Sequence, residues 1–242
     1  MHMVKETIRK ILILLHLDVT KNLKYDRLTQ KILKKHLRKN SSCIDVGCHK
    51  GEILNLMLRY APHGQHYAFE PIPYLFEKLT HAYRNKASIY PYALSDKSGF
   101  TSFQFVKNAP AYSGIKQRRY DIENPEIEEL TVDLKSLDEI IPATQRIDLI
   151  KIDVEGGEFD VLKGGKNLLI SNKPMILFEF GKGASDYYGT TPSDLYDFIS
   201  QEIGLHIYTL QAFLKNKSAL NKNEFNDYFN NGKEYYFIAN RL

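Results

Sequence analysis

Apolar residues recur at three- and four-residue spacings from Val4 to about Arg38. Ile8, Ile11, Leu12 and Leu15 form one stripe, and Leu28, Ile32, Leu33 and Leu37 a second. This is the period of amphipathic helices, and Asn22 to Tyr25 predicts a break between two of them. After Asn40 the pattern changes. Short continuous apolar runs at Cys43 to Val46, His66 to Glu70, Ser88 to Ala93, Ile147 to Asp153 and Met175 to Phe180 alternate with helical segments starting near Glu52, Tyr74, Phe159 and Pro192. Unbroken apolar strands between helices predict a parallel sheet covered on both faces, a doubly wound α/β fold. Leu205 to Leu210 and Glu234 to Asn240 also read as strands. The polar Asn- and Lys-rich stretch between them offers no clear crossover helix, so they predict an antiparallel pair closing the mostly parallel sheet. The stretch from Lys107 to Glu129, with Pro110, Gly114 and Pro125, predicts a long loop of the kind that forms lids or binding loops.

The 242 residues suffice for one well-cored domain, and no linker marks a second. The expected division is a helical extension over 1–40 and an α/β domain over 41–242. A net charge of +4 is spread over 33 basic and 29 acidic residues without a long block of one sign, so nucleic acid is not an expected partner. Cys43 and Cys48 lie in one strand-to-turn segment, where a structural disulfide is not expected, and this usage fits a reducing cytoplasm. The apolar run Ile11 to Leu17, preceded by Lys5, Arg9 and Lys10, falls short of the roughly 20 residues of a membrane span. It reads as a helix packed on the domain, or as a peripheral membrane contact.

Three features carry candidate chemistry. The first is Asp45-Val46-Gly47-Cys48-His49-Lys50-Gly51, a glycine turn between an apolar strand and a helix, where backbone N–H groups can approach a ligand closely. The second is Phe69-Glu70-Pro71. Glu70 follows the turn by about 20 residues and ends a strand, where its carboxylate can accept hydrogen bonds from two ribose hydroxyls. The third is the apolar strand that ends in Lys151-Ile152-Asp153-Val154-Glu155-Gly156-Gly157-Glu158. Its carboxylates should face the same crevice, because ligands of open α/β sheets sit beyond the carboxyl ends of the strands. Glu155 and Glu158 could equally serve the following helix by sitting at its positive end.

These motifs, with Ala93-Leu94-Ser95-Asp96, Gly99 and Phe178-Glu179, resemble in order and spacing the FkbM family of methyltransferases, over roughly Ser41 to Gly183. The resemblance implies a Rossmann-like fold, S-adenosylmethionine as cofactor, and transfer of a methyl group to oxygen on a glycan, a glycoconjugate precursor or a small metabolite. It implies that Asp45, Gly47 and Gly51 hold the methionine part of the cofactor and Glu70, with Pro71 beside it, the ribose. Tyr92, Ala93 and Leu94 would border the adenine. Asp153 would lie beside the sulfonium and the acceptor, and Glu179 would point into the acceptor side. The commoner family turn has Ala-Asn where Cys48-His49 stands here. His49 therefore contacts the cofactor through a different group, or stands outside it as a solvated turn residue.

A hydroxyl acceptor must lose its proton, and Asp153, Glu155 and Glu179 are the candidate bases. If two of them held a divalent cation, the metal would lower the hydroxyl pKa instead. Tyr112, Lys116, Arg118 and Arg119, in the loop after Ala111, could line a flap over a sugar or phosphate-bearing acceptor. Two other functions share parts of this pattern. A nicotinamide-dependent oxidoreductase would use the same turn and Glu70, but the usual third glycine is missing. A non-catalytic interaction module with a relic pocket need not keep the acid cluster.

Overall fold

The computed structural model describes residues 20–241. The predicted first helix and the apolar run Ile11 to Leu17 lie outside the described residues. Helix α1 (Lys21–His36) opens the described chain, and its Thr20 cap accepts a hydrogen bond from the Leu23 N–H. The expected break at Asn22 to Tyr25 is not there. Thr20 supplies the start signal just upstream, and the helix runs straight through.

Seven strands form the main sheet. They are β1 (Cys43–Val46), β2 (His66–Phe69), β3 (Ser88–Tyr90), β7 (Leu149–Ile152), β8 (Met175–Glu179), β9 (His206–Thr209) and β10 (Tyr236–Asn240), in the order β3-β2-β1-β7-β8-β10-β9. The first five are parallel, and β10 runs antiparallel to both β8 and β9. This is the expected α/β architecture with its antiparallel C-terminal strands. The connection between β9 and β10 is helical, however, through α8 (Leu210–Leu214) and α9 (Lys222–Asn230). Asn221 caps α9 with a reciprocal box in which Glu224 returns to the Asn221 N–H, so a segment polar enough to read as loop still folds as helix.

The remaining helices cover the sheet: α2 (Glu52–Tyr60), α3 (Pro73–Ala82), α4 (Leu137–Ile140), α5 (Glu158–Gly164), α6 (Lys166–Asn172) and α7 (Pro192–Asp197). Ile44, Ile150, Ile176, Phe178 and Phe237 are fully buried in one core on one side. On the other side Leu28, Ile32 and Leu33 of α1 pack with Met57, Leu149, Leu177 and Ile238.

The predicted strand Ser88 to Ala93 is two strands. Pro91 has no N–H to donate to a ladder, and β3 ends before it. The chain then enters a second sheet as β4 (Tyr92–Leu94), which pairs with β6 (Ile127–Lys135), itself paired with β5 (Gly99–Val106). The expected loop Lys107 to Glu129 thus gives its last residues to β6. The remainder spans the β5–β6 hairpin and is tied back at Gln104 and Gly114.

The packing of α1 yields a stability prediction. Leu33 is fully buried, so Leu33→Ala should cost about 2–5 kcal/mol in urea unfolding. A loss near zero would show that α1 contributes little to the core.

Candidate active site

A cleft of about 1500 Å³ opens beyond the carboxyl ends of β1, β2 and β7. Three backbone hydrogen bonds draw its floor together, with Gly47 N–H and Cys48 N–H donating to Phe69 O (3.1 and 3.0 Å) and Asp153 N–H donating to Val46 O (3.1 Å). Gly47 has φ +72°, and a Cβ there would stand 1.9 Å from Asp153 O. Only glycine lets the ends of β1 and β7 come this close.

Lys151 organises the floor from below. Its ammonium is buried, 2.8 Å from Gly47 O and 3.5 Å from both Asp45 Oδ1 and Asp153 Oδ2. Burial alone would discharge it, but the charges of Asp153 and Asp45 outweigh burial and raise its pKa, so it stays cationic. Asp45 is fully buried and lies beneath the cleft. Gly51 lies off the wall too. It caps α2 at φ +79°, a Cβ there would meet the Tyr83 ring, and the Tyr83 hydroxyl donates to Gly51 O (3.1 Å).

Glu70 is buried at the end of β2 and lines the cleft. Its Oε2 accepts from the His49 N–H (2.7 Å) and its Oε1 from the Ile72 N–H (3.0 Å). Burial pushes its carboxyl up to about 7, against the pull of these backbone bonds. Each oxygen keeps acceptor capacity for a ligand hydroxyl. His49 is half-buried on the wall, with φ +49°. Burial lowers its pKa and keeps the imidazole neutral, and its buried Nε2 has no partner among the described residues. Pro71, Tyr92, Ala93 and Leu94 continue the wall beside Glu70.

The acids after β7 divide into different roles. Asp153 lines the cleft with its side chain 29% exposed. Glu155 has φ +60° and is ion-paired with Arg118. Glu158 is buried, and its Oε1 accepts from the N–H groups of Val154 (3.1 Å) and Gly156 (3.0 Å), clamping the glycine turn. Burial pushes its carboxyl up to about 7. Glu179, half-buried at the end of β8, is raised well above the usual carboxylate range by burial and by Asp153 and Glu158.

From the β5–β6 connection, Pro110, Ala111, Ser113 and Ile115 line the cleft. Tyr112, Lys116, Arg118 and Arg119 do not stand on that wall; they anchor the segment. Arg118 reaches Glu155 and lies over the Tyr112 ring (5.2 Å), and Lys116 lies over the Tyr188 ring (4.9 Å). The Arg119 N–H donates to Gly183 O (3.0 Å) while its exposed side chain pairs with Asp121. The sequence reading also missed cleft residues. Tyr235 and Tyr236 of the β10 approach and Tyr25 of α1 line it, with Tyr25 edge-on to Tyr235 at 4.8 Å. Cys43 and Cys48 are free and buried. Among the described residues no cluster of His, Cys, Asp or Glu is arranged to hold a metal ion, and no helix is long and apolar enough to cross a membrane.

Residues 45–207 match the methyltransferase FkbM domain. The chain belongs to that methyltransferase family. No curated protein matches it in sequence. Among solved structures it is similar to the methyltransferase FkbM of Methylobacillus flagellatus KT, with a TM-score of 0.51 and 13% identity over 84% of this chain. That match takes in 44% of the Methylobacillus chain, so the present protein spans under half of its length. The O-methyltransferase segment StiE O-MT, residues 961–1257, aligns at a TM-score of 0.46 and 11% identity, over 95% of this chain and 79% of that one. A fibrillarin/Nop5p complex aligns at 0.46 and 16%, over 89% and 81%.

Glu70 and Glu158, both buried and raised, give stability a pH slope. Each takes up a proton in the folded state that it lacks when unfolded between about pH 4.5 and 7. Stability should therefore be highest at the acid end of that window and fall as pH rises through it, by up to about 3 kcal/mol for each acid. In Glu158→Gln the amide oxygen can keep both turn bonds, and urea midpoints at pH 5 and 8 should differ by clearly less than in the parent. An unchanged difference would remove Glu158 from the titration.

Proposed function

We propose that the protein is an S-adenosylmethionine-dependent O-methyltransferase acting on a hydroxyl of a glycan, glycoconjugate precursor or small metabolite. The observation that carries this is Glu70, a buried carboxylate ending β2 beside the Gly47 turn and opening on the same cleft as Asp153. The site fits the cofactor. Glu70 has acceptor capacity for two ribose hydroxyls, the unpartnered His49 Nε2 can meet a polar group, and Ala93, Leu94 and Ile72 offer an apolar wall for a base. Bound there, the cofactor would supply an electrophilic methyl carbon.

The chain's own task is then to orient the acceptor and take its proton. Positioning of this kind can supply about 7–11 kcal/mol. Of the three candidate bases, Glu155 is engaged by Arg118. Glu179 is raised well above the usual carboxylate range by burial and by Asp153 and Glu158, which favours its neutral form and a part as hydrogen-bond donor to the acceptor. Asp153 is left as the base, with Lys151 fixing its carboxylate from below. A nicotinamide reading loses its support, because the chain belongs to a methyltransferase family.

S-Adenosylhomocysteine at about 100 times its dissociation constant should raise the unfolding midpoint by about 5–10 °C, and NAD should leave it in place. Glu70→Ala, measured against its own unliganded midpoint, should lose most of that rise. Absence of any rise in the parent protein would turn the reading to an interaction module with a relic pocket. Because ribose hydroxyls donate to ionised Glu70, affinity for S-adenosylhomocysteine should fall as pH drops below about 7, approaching tenfold per unit. Calorimetry on Glu70→Gln should show no such slope. Asp153→Asn should keep cofactor binding and lower kcat about 10²–10⁴-fold. Methyl found on nitrogen or carbon of the acceptor would overturn the O-transfer assignment.

A further inference from the structure

The protein's positive charge is gathered on one helix. The whole chain carries +4, whereas α1 sets six Lys and Arg residues against Asp26, a formal +5 that leaves the rest of the chain near neutral. The inner face of α1 is buried through Leu28, Ile32 and Leu33, so its cations are displayed on the other sides. Arg27, Lys31 and Lys34 follow one another at steps of four and three residues, which places them on one stripe, and all three line the cleft. Across from them α2 adds Arg59 to the same wall. Lys31, Lys34 and Arg59 are exposed and enter no ion pair among the described residues. Asp26 and Glu52 are the acids of this wall.

Cations thus outnumber acids on the α1–α2 lip, where Arg27, Lys31, Lys34 and Arg59 stand with Asp26 and Glu52, while the carboxylates of Glu70, Asp153 and Glu179 gather on the floor around Lys151. At about 1500 Å³ the cleft also exceeds the roughly 300–1,000 Å³ that holds one ligand of ordinary size, leaving room for an acceptor beside a cofactor. The geometry points to an anion subsite on this lip, made by Lys31, Lys34 and Arg59, that binds a phosphate or diphosphate carried by the methyl acceptor. This rests on the methyl-transfer reading above and adds the class of acceptor, a phosphorylated or diphosphate-linked hydroxyl compound. An anion held at the lip would leave its hydroxyl end free to reach Asp153 on the floor. A nucleic-acid strand is disfavoured, because strand-binding grooves extend their cations along the backbone path and this stripe gives way to acids within the cleft.

The test is calorimetric titration of the protein, saturated with S-adenosylhomocysteine, using inorganic pyrophosphate as probe. Lys31→Glu/Lys34→Glu/Arg59→Glu is the variant; all three positions are exposed, so folding is not at stake, and a thermal midpoint checks this. Pyrophosphate should bind the parent, about tenfold or more weaker in the variant and weaker again on raising salt from about 50 to about 200 mM. S-Adenosylhomocysteine should bind both proteins alike. Sedimentation with phosphatidylglycerol vesicles separates the two sources of such an anion. Binding of vesicles that pyrophosphate competes away, and that the variant loses, assigns a lipid-linked diphosphate; pyrophosphate binding without vesicle binding assigns a soluble one. Equal pyrophosphate affinity in parent and variant, no binding to the parent at millimolar probe, or tight binding of a single-stranded RNA oligonucleotide that pyrophosphate leaves untouched would overturn the proposal. If pyrophosphate binds as expected and S-adenosylhomocysteine does not bind at all, the cofactor reading fails while the anion subsite stands.

Discussion

The site hangs on one buried ammonium. Lys151 and Asp45 are register partners on the parallel strands β7 and β1, so their charges meet inside the protein, where an unpaired charge is heavily penalised. A slip of one residue between the strands would send Lys151 to the opposite face and leave Asp45 alone. The pair therefore helps specify which residues end the strands together. The same ammonium holds Gly47 O and Asp153, and so it fixes the distance between the Gly47 turn and the proposed base. Chemistry at the mouth of the cleft is set by electrostatics in its foundation.

Around that centre, side chains with similar chemistry do unlike work. Glu158 is spent on the backbone of the turn that follows β7, and Glu155 on holding the β5–β6 connection through Arg118. Glu70 does both at once, bonding the His49 and Ile72 backbone while still lining the cleft. Asp153, Glu155 and Glu158, within a few residues of one another in sequence, are thus separated by where their backbone points them. The positive φ of Glu155 and Gly156 turns consecutive side chains toward different neighbours.

Much of this was legible in the sequence. The five parallel strands are continuous apolar runs and were placed within a few residues, and the motifs at Gly47, Glu70 and Asp153 do meet in one cleft. What was not legible follows from three causes. Alternation over Leu130, Val132 and Leu134 signals β6, yet the Gly- and Pro-bearing segment before it reads as loop. Lys151 stood inside a recognised motif, but a lysine in an apolar strand discloses its role only when the strand across from it is known. The flap cations at Lys116, Arg118 and Arg119 looked like ligand contacts because composition does not say which way a side chain turns. Conversely, the charge of α1 was diluted in the chain-wide balance and became apparent only once its faces were assigned.

Pro91 bears on how such a protein can change over time. By ending β3 and passing the chain to the small sheet, it makes β4, β5 and β6 a second panel, which packs Ala93, Phe103, Val132 and Leu134 against Ile72 and Leu75 at the start of α3 and sends Leu94 into the main core. The β5–β6 connection can then lengthen, shorten or exchange its residues without shifting a rung of the main sheet. A lineage could vary that connection while the floor around Lys151 keeps its geometry, much as a tool keeps its handle and changes its blade.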